Sequence, residues 1–207
     1  MEQKYQYHHP WYGYEQEYFI TSNTTNMNVD DFAKNVNNES FTQGQFYCAN
    51  GTENIIHRQF VDVHMEHCIY AGLRFCGSNA EVAPGQWEFQ IGPLEGIESC
   101  DQLWVARFIL IRLSEKYGYN ISFHPKLFKT YNGSGCHTNF STLKMRTPCN
   151  DKAGLNEIYR VVDNLKKNHK EDIQQFGESN ELRLSGIHET SSYEHFTYGV
   201  GDRAASV

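Results

Sequence analysis

Two periodicities divide the 207-residue chain into strands and helices. Period-two alternation of aromatic and polar side chains predicts a strand over residues 14–21. Further strands are predicted over 73–82 and 85–92, bounded by Pro84 and Pro93, and over 119–123. The turn Gly133-Ser134-Gly135 leads into a last strand that carries His137, Asn139 and Ser141 on one face. Residues 22–54, rich in Asn, Ser, Thr and Gly, read as a long loop with a weak helix near 29–36. Helical spacing appears three times. Residues 58–70 carry a rough apolar stripe closed by Gly72. Residues 100–117 begin after Ser99, a candidate N-cap that forms a capping box with Gln102, and end at Gly118. Their apolar positions leave little polar face, which predicts burial on most sides. Residues 155–169 form an amphipathic helix whose Lys166, Lys167 and His169 suit its C-terminal dipole. Alternating strands and helices indicate an α+β fold with a mainly antiparallel sheet.

Composition narrows the function. Hydrophobic residues at 39% and charged residues at 21% fit one soluble globular domain spanning residues 1–207. Aromatics at 14% point to a stacked core or a ligand cleft. A net charge of −7 argues against nucleic acid as a partner, although a bound cation would still permit an anionic substrate. The six cysteines are irregularly spaced and form no Cys-x-x-Cys pair, which favours reduced thiols. With no apolar run at the start and no stretch approaching a membrane span, a cytoplasmic protein that engages no membrane is expected.

The candidate chemistry lies on the strands. Glu15 and Glu17 share one face, Glu88 and Gln90 share another, and Glu81 stands near the end of the strand predicted over 73–82. Any one of these carboxylates could be a solvated surface charge, but charges set among aromatics need a partner or a cation. Carboxylates with an imidazole suit Mg2+ or Mn2+, so Glu15, Glu17, Glu81, Glu88 and His137 are the candidate ligands. His137 alone could be a core histidine, yet the glycine turn before it lets backbone N–H groups approach a ligand. His188-Glu189 is either a second acid/base pair or a loop ion pair. Arg183 and Arg203 could fork a carboxylate or a phosphate, or simply be exposed.

The chain resembles eukaryotic-type glutamine synthetases in long collinear strings. These are residues 9–18 (HPWYGYEQEY), 79–93 (NAEVAPGQWEFQIGP), 103–110 (LWVARFIL), 132–142 (NGSGCHTNFST), 186–191 (GIHETS) and 203–207 (RAASV). The resemblance implies that family's antiparallel, curved sheet with helices on its outer face. It implies ATP-dependent ligation of ammonium to L-glutamate through a γ-glutamyl phosphate, with Mg2+ or Mn2+ as cofactor. Carried over to this sequence, Glu15 and His137 would share one metal, and Glu17, Glu81 and Glu88 the other. Glu15, Glu88, Asn139, Phe140, Ser141 and Arg203 would lie along the nucleotide. Asn132, Gly133, Arg183 and Arg203 would position glutamate. Glu189 would take a proton from ammonium, with Arg203 as a second catalytic residue. Intact relatives form double-ring homo-oligomers.

Departures from the family pattern qualify that expectation. The family's N-terminal β-grasp domain has no counterpart before Lys4, and the chain stops at Val207, before the family's last metal-ligand glutamate. The catalytic domain is therefore expected to be incomplete and this polypeptide inactive by itself. Phe46 stands where relatives carry a tyrosine, Thr130-Tyr131 where they carry Asn-Trp, and residues 148–152 differ from the usual run. The alternatives are a non-catalytic, glutamine-synthetase-like interaction protein and a ligase that joins glutamate to another amine.

Overall fold

A computed structural model describes residues 6–22, 44–51, 55–129, 131–147, 152–187 and 190–207. They fall into two compact units, Trp11–Phe140 and Met1–Pro10 with Ser141–Val207.

The first unit is built on a five-stranded sheet. Its strands are β1 (Trp11–Ser22), β2 (Phe75–Ala80), β3 (Gln86–Glu95), β4 (Tyr119–Ser122) and β5 (Cys136–Ser141). They lie in the order β2-β3-β1-β4, with β5 also paired to β1. The β1–β3, β1–β4 and β2–β3 pairs are antiparallel, as the alternation predicts. Two helices, α1 (Arg58–Tyr70) and α2 (Glu98–Tyr117), pack on the sheet. The chain must come very close to itself at Gly92, whose φ is 106°. A Cβ there would lie 2.7 Å from the Tyr12 carbonyl oxygen, beside the register shift between Tyr12 and Tyr14.

Period two sorts the two sheet faces. Tyr18, Ile20, Trp87, Phe89 and Ile91 form one core with Phe60, Val61 and Cys68 of α1 and with Leu103, Ala106, Leu110 and Leu113 of α2. The opposite face of β1 and β3 carries Glu15 paired with Gln90 and Glu17 paired with Glu88. A greasy helical layer therefore supports a sheet whose other side is acidic.

α2 departs from expectation in two ways. Only its Leu103–Ala106–Leu110–Leu113 stripe is buried, whereas Trp104 and Phe108 remain 66% and 63% exposed. One sheet contacts one stripe of a helix, so a helix apolar all round still leaves its far side uncovered among the described residues. The capping box at Ser99 does not form either. The helix begins at Glu98, the Ser99 hydroxyl donates to the Gly96 carbonyl, and Gln102 is already engaged with the Arg74 N–H and the Glu98 carboxylate. Gly118 does end the helix in a left-handed conformation.

His64 of α1 is fully buried, and its Nε2 lies 3.0 Å from the Ala106 carbonyl oxygen and 3.2 Å from Cys68 Sγ. Burial pushes its pKa from 6.5 down to about 4, with a smaller downward push from His67 and an opposing one from the Ala106 bond. Between those two values the unfolded chain takes up a proton that the folded chain refuses, so stability falls as pH falls through this window. The loss from pH 7.5 to pH 5 is about 2 kcal/mol. Urea unfolding of wild type and His64→Gln at the two pH values checks this: the variant should lose less stability on acidification, and equal losses would contradict it.

In the second unit, α3 (Leu143–Arg146) is capped by Thr142, whose side chain accepts from the Met145 N–H. The longer α4 (Ala153–Asp172) overruns the predicted helix by two and three residues. It packs against α3 through Gly154, where a Cβ would lie 3.0 Å from the Met145 carbonyl oxygen. Glu157 accepts from Lys144 and Arg160, which hold its carboxyl down at about 2. His169 Nε2 lies 3.0 Å from the Tyr193 carbonyl oxygen. No helix among the described residues is long and apolar enough to cross a membrane.

Candidate functional site

The acidic face of the sheet gathers residues from four segments. β1 supplies Glu15 and Glu17, β3 supplies Glu88, the turn after β2 supplies Glu81, and β5 supplies His137. Antiparallel register sets Glu17 opposite Glu88, and Asn79 opposite Glu88 on its other side. The turn at Glu81 is fixed by its own N–H, which donates to the Gln86 carbonyl, and by the Ala83 N–H, which donates to the Gln86 side chain.

Two groups of ligand atoms result, each within 4.8 Å of one another. One is Glu17, Glu81 and Glu88, all buried; the other is Glu15, Glu88 and His137, the first half-buried and the last exposed. Glu88 belongs to both. Five residues therefore form two adjoining clusters that share one carboxylate, which sequence spacing alone does not reveal.

The electrostatics are unfavourable as they stand. Burial, then the charges of Glu17 and Glu88, raises the Glu81 carboxyl to about 8. Burial, with Glu15 and Glu17 adding to it, raises Glu88 to about 7. The partners supplied by the protein are amides. Asn79 Nδ2 donates to Glu81, Gln90 Nε2 donates to Glu88 and to Asn79 Oδ1, and the Gly135 N–H donates to Glu17 Oε2 at 2.5 Å. Amides orient carboxylates without neutralising them. Buried oxygens held close together and aimed at one another fit a hard divalent cation such as Mg2+ or Mn2+.

At the more open end, Glu15 Oε2 lies 3.5 Å from His137 Nδ1, and Asn139 Nδ2 donates to Glu15 Oε1 at 2.8 Å. The Phe140 ring, next in β5 after Asn139, is 42% exposed and sits 5.2 Å from the Tyr12 ring. Ser141 Oγ accepts from Arg146 Nη1.

The glycine turn serves the protein more than sequence suggests. Its N–H groups were expected to meet a ligand, yet Gly135 donates to Glu17 and Ser134 donates to the Pro125 carbonyl. The Gly133 carbonyl accepts from Gln86 Nε2. Asn132 and Gly133 are half-buried in this segment. Phe46 is buried, and the neighbouring Gly44 N–H donates to the Val82 carbonyl beside Glu81.

Arg183 follows a 3-10 turn (Asn180–Leu182), and Arg203 lies in an exposed turn; both belong to the second unit. His188, Glu189, Thr130 and the weak helix near 29–36 lie outside the described residues. Gln16 and Arg107 escaped notice in the sequence. The signal was available, since Gln16 is a polar residue among Tyr14, Tyr18 and Ile20 on the core face of β1.

Comparisons with known proteins agree on one family. The model of the glutamine synthetase catalytic domain matches residues 1–160. A putative glutamine synthetase of Acanthamoeba polyphaga mimivirus is 50% identical over 207 residues, covering 99% of this chain and 56% of that protein. The glutamine synthetases of Agaricus bisporus and Schizosaccharomyces pombe are 44% and 46% identical, covering 97% and 95% of this chain. Those matches take in 54% and 53% of the two fungal proteins, so the chain spans about half the length of the curated relatives it matches. A cryo-EM structure of Plasmodium falciparum glutamine synthetase shares the fold, with a TM-score of 0.68 at 14% identity, over 87% of this chain and 40% of that one.

Proposed function

The chain belongs to the glutamine synthetase family, and from that premise we propose that its acidic sheet face serves the ATP-dependent ligation of ammonium to L-glutamate through a γ-glutamyl phosphate. The observation that carries this reading is the pair of ligand clusters joined at Glu88, a geometry suited to two neighbouring cations. These residues would hold divalent cations, which would supply charge neutralisation for the terminal phosphate of ATP when a glutamate carboxylate approaches it.

The residues of the chain take distinct parts. Glu17, Glu81 and Glu88 would hold the more buried cation, and Asn79, Gln90 and Gly135 fix the orientation of those carboxylates. Glu15, Glu88 and His137 would hold the more open one beside Asn139, and Asn139, Phe140 and Ser141 would lie along the nucleotide. Asn132 and Gly133, in the turn before β5, would orient glutamate. Arg183 and Arg203 offer forks for the substrate carboxylates and the transferred phosphate. Glu189 attracts ammonium and accepts its proton, which frees the nitrogen lone pair for attack. Assembly into a homo-oligomer, as the resemblance implies, is part of the same proposal.

Binding of a non-hydrolysable, fluorescent ATP analogue to the purified chain tests this reading. Binding should require Mn2+ or Mg2+, should disappear with a chelator, and should weaken sharply in Glu88→Ala. Cation-independent binding, or binding that ignores Glu88, would overturn it.

A further inference from the structure

We infer that Arg107, on the helical side of the sheet, is a positioning residue for Glu17, acting through Gln16 and the backbone of Gly135. The inference rests on the cation reading above.

Gln16 points away from the carboxylates, toward α2, and is 3% exposed. Its Oε1 accepts from both Nε and Nη2 of Arg107, with Nε at 2.8 Å. Its Nε2 donates to the Gly135 carbonyl at 3.2 Å and to the Glu17 carbonyl at 2.7 Å. Glu17 and Gly135 are tied twice more. The Glu17 N–H donates to the Gly135 carbonyl at 3.0 Å, and the Gly135 N–H donates to Glu17 Oε2 at 2.5 Å. One guanidinium is thus linked through one amide to Gly135, the residue whose N–H grips a ligand carboxylate.

Two aromatic rings lie near the guanidinium. Its Cζ is 5.0 Å from the Trp104 ring centroid and 5.3 Å from that of Phe123. A planar fork so placed can keep Gln16 in a single rotamer, which fixes which way its amide points. With the amide reversed, Nε2 would face the guanidinium and Oε1 the Gly135 carbonyl, two repulsive contacts. Arg107 therefore selects the orientation that clamps Gly135. A lysine supplies the charge but neither the fork nor the stacking.

Manganese titration of the full chain by calorimetry, with the electron paramagnetic resonance of bound Mn2+ as a second readout, tests this. Arg107→Met and Gln16→Met should each weaken binding at the Glu17 group about 10–100-fold, the range for outer-shell partners of metal ligands. Arg107→Lys should be impaired as well. Leu113→Ala, a core change on the same helix, should lower thermal stability and leave affinity for Mn2+ unchanged. Unaltered binding by Arg107→Met, or by Gln16→Met should the first variant not fold, overturns the inference. So does Arg107→Lys with wild-type affinity, or Leu113→Ala with the same loss. A wild-type chain that takes up no Mn2+ overturns the cation reading itself and this inference with it.

Discussion

Replacing Glu88 with alanine should abolish cation binding at both clusters, whereas Glu81→Ala and Glu15→Ala should each remove only one. The asymmetry follows from the ligand groups, because Glu88 is the member they share. It would not follow from a loose acidic patch, where each carboxylate would contribute similarly. The same residue gives a second signature of opposite sign. Without a cation, Glu88 sits among Glu15, Glu17 and Glu81, and its carboxyl is raised to about 7, mainly by burial. A carboxyl raised above its unfolded value weakens the fold as pH rises through that interval. Glu88→Gln should therefore stabilise the metal-free protein at pH 8 by about 1–2 kcal/mol, less than the full shift because the amide is itself a buried polar group. It should also cancel the stabilisation that Mn2+ gives wild type. Thermal unfolding of both proteins, with and without Mn2+, reads the two effects together. A variant less stable than wild type without metal, or still stabilised by Mn2+, would contradict the account.

Trp87→Ala should be the most damaging single core change near the site, costing about 3–5 kcal/mol. Trp87 is 1% exposed, its Nε1–H donates to the Ile56 carbonyl at 2.9 Å, and the Arg58 guanidinium lies 5.1 Å from its ring. Truncation opens a cavity between the sheet and α1, and it removes the donor that ties residue 56 to β3. For a chain of this size the loss lowers the melting temperature by roughly 10 °C. Trp87→Phe keeps most of the packing and loses the hydrogen bond, for about 1–2 kcal/mol. Because Trp87 and Glu88 are neighbours on opposite faces, Trp87→Ala should also weaken Mn2+ binding, which Leu113→Ala should not. Equal stability of Trp87→Ala and Trp87→Phe would show that the indole packing matters little.

Much of this was legible in the sequence, for identifiable reasons. Alternation placed Trp87, Phe89 and Ile91 on the core face and Glu88 and Gln90 opposite, because the pleat leaves no other arrangement. It also placed Glu15 with Glu17 and His137 with Asn139, while the association of His137 with Glu15 is what the family resemblance implies. The partition of ligands was not legible. The resemblance implies Glu88 for the metal it shares with Glu17 and Glu81, and the cross-strand register also brings its carboxylate close to Glu15 and His137. The exposed side of α2 was read as buried because a sequence shows which residues are apolar but not which of them meet a neighbour. The cap at Ser99 failed for a similar reason, since Gln102 is claimed by Arg74, far away in sequence. The role of the Gly133–Gly135 turn also needed coordinates. A glycine turn fits a ligand or a protein group equally well, and here the Gly135 N–H meets the Glu17 carboxylate.

The central claim is that these five side chains form two adjoining cation sites with Glu88 common to both. Crystals of the chain soaked in Mn2+, with diffraction measured at the manganese absorption edge, address it most directly. The account predicts two anomalous peaks, one among Glu17, Glu81 and Glu88 and one among Glu15, Glu88 and His137, each about 2.1 Å from its ligand atoms. Anomalous density absent from this face, or lying elsewhere on the chain, would contradict it.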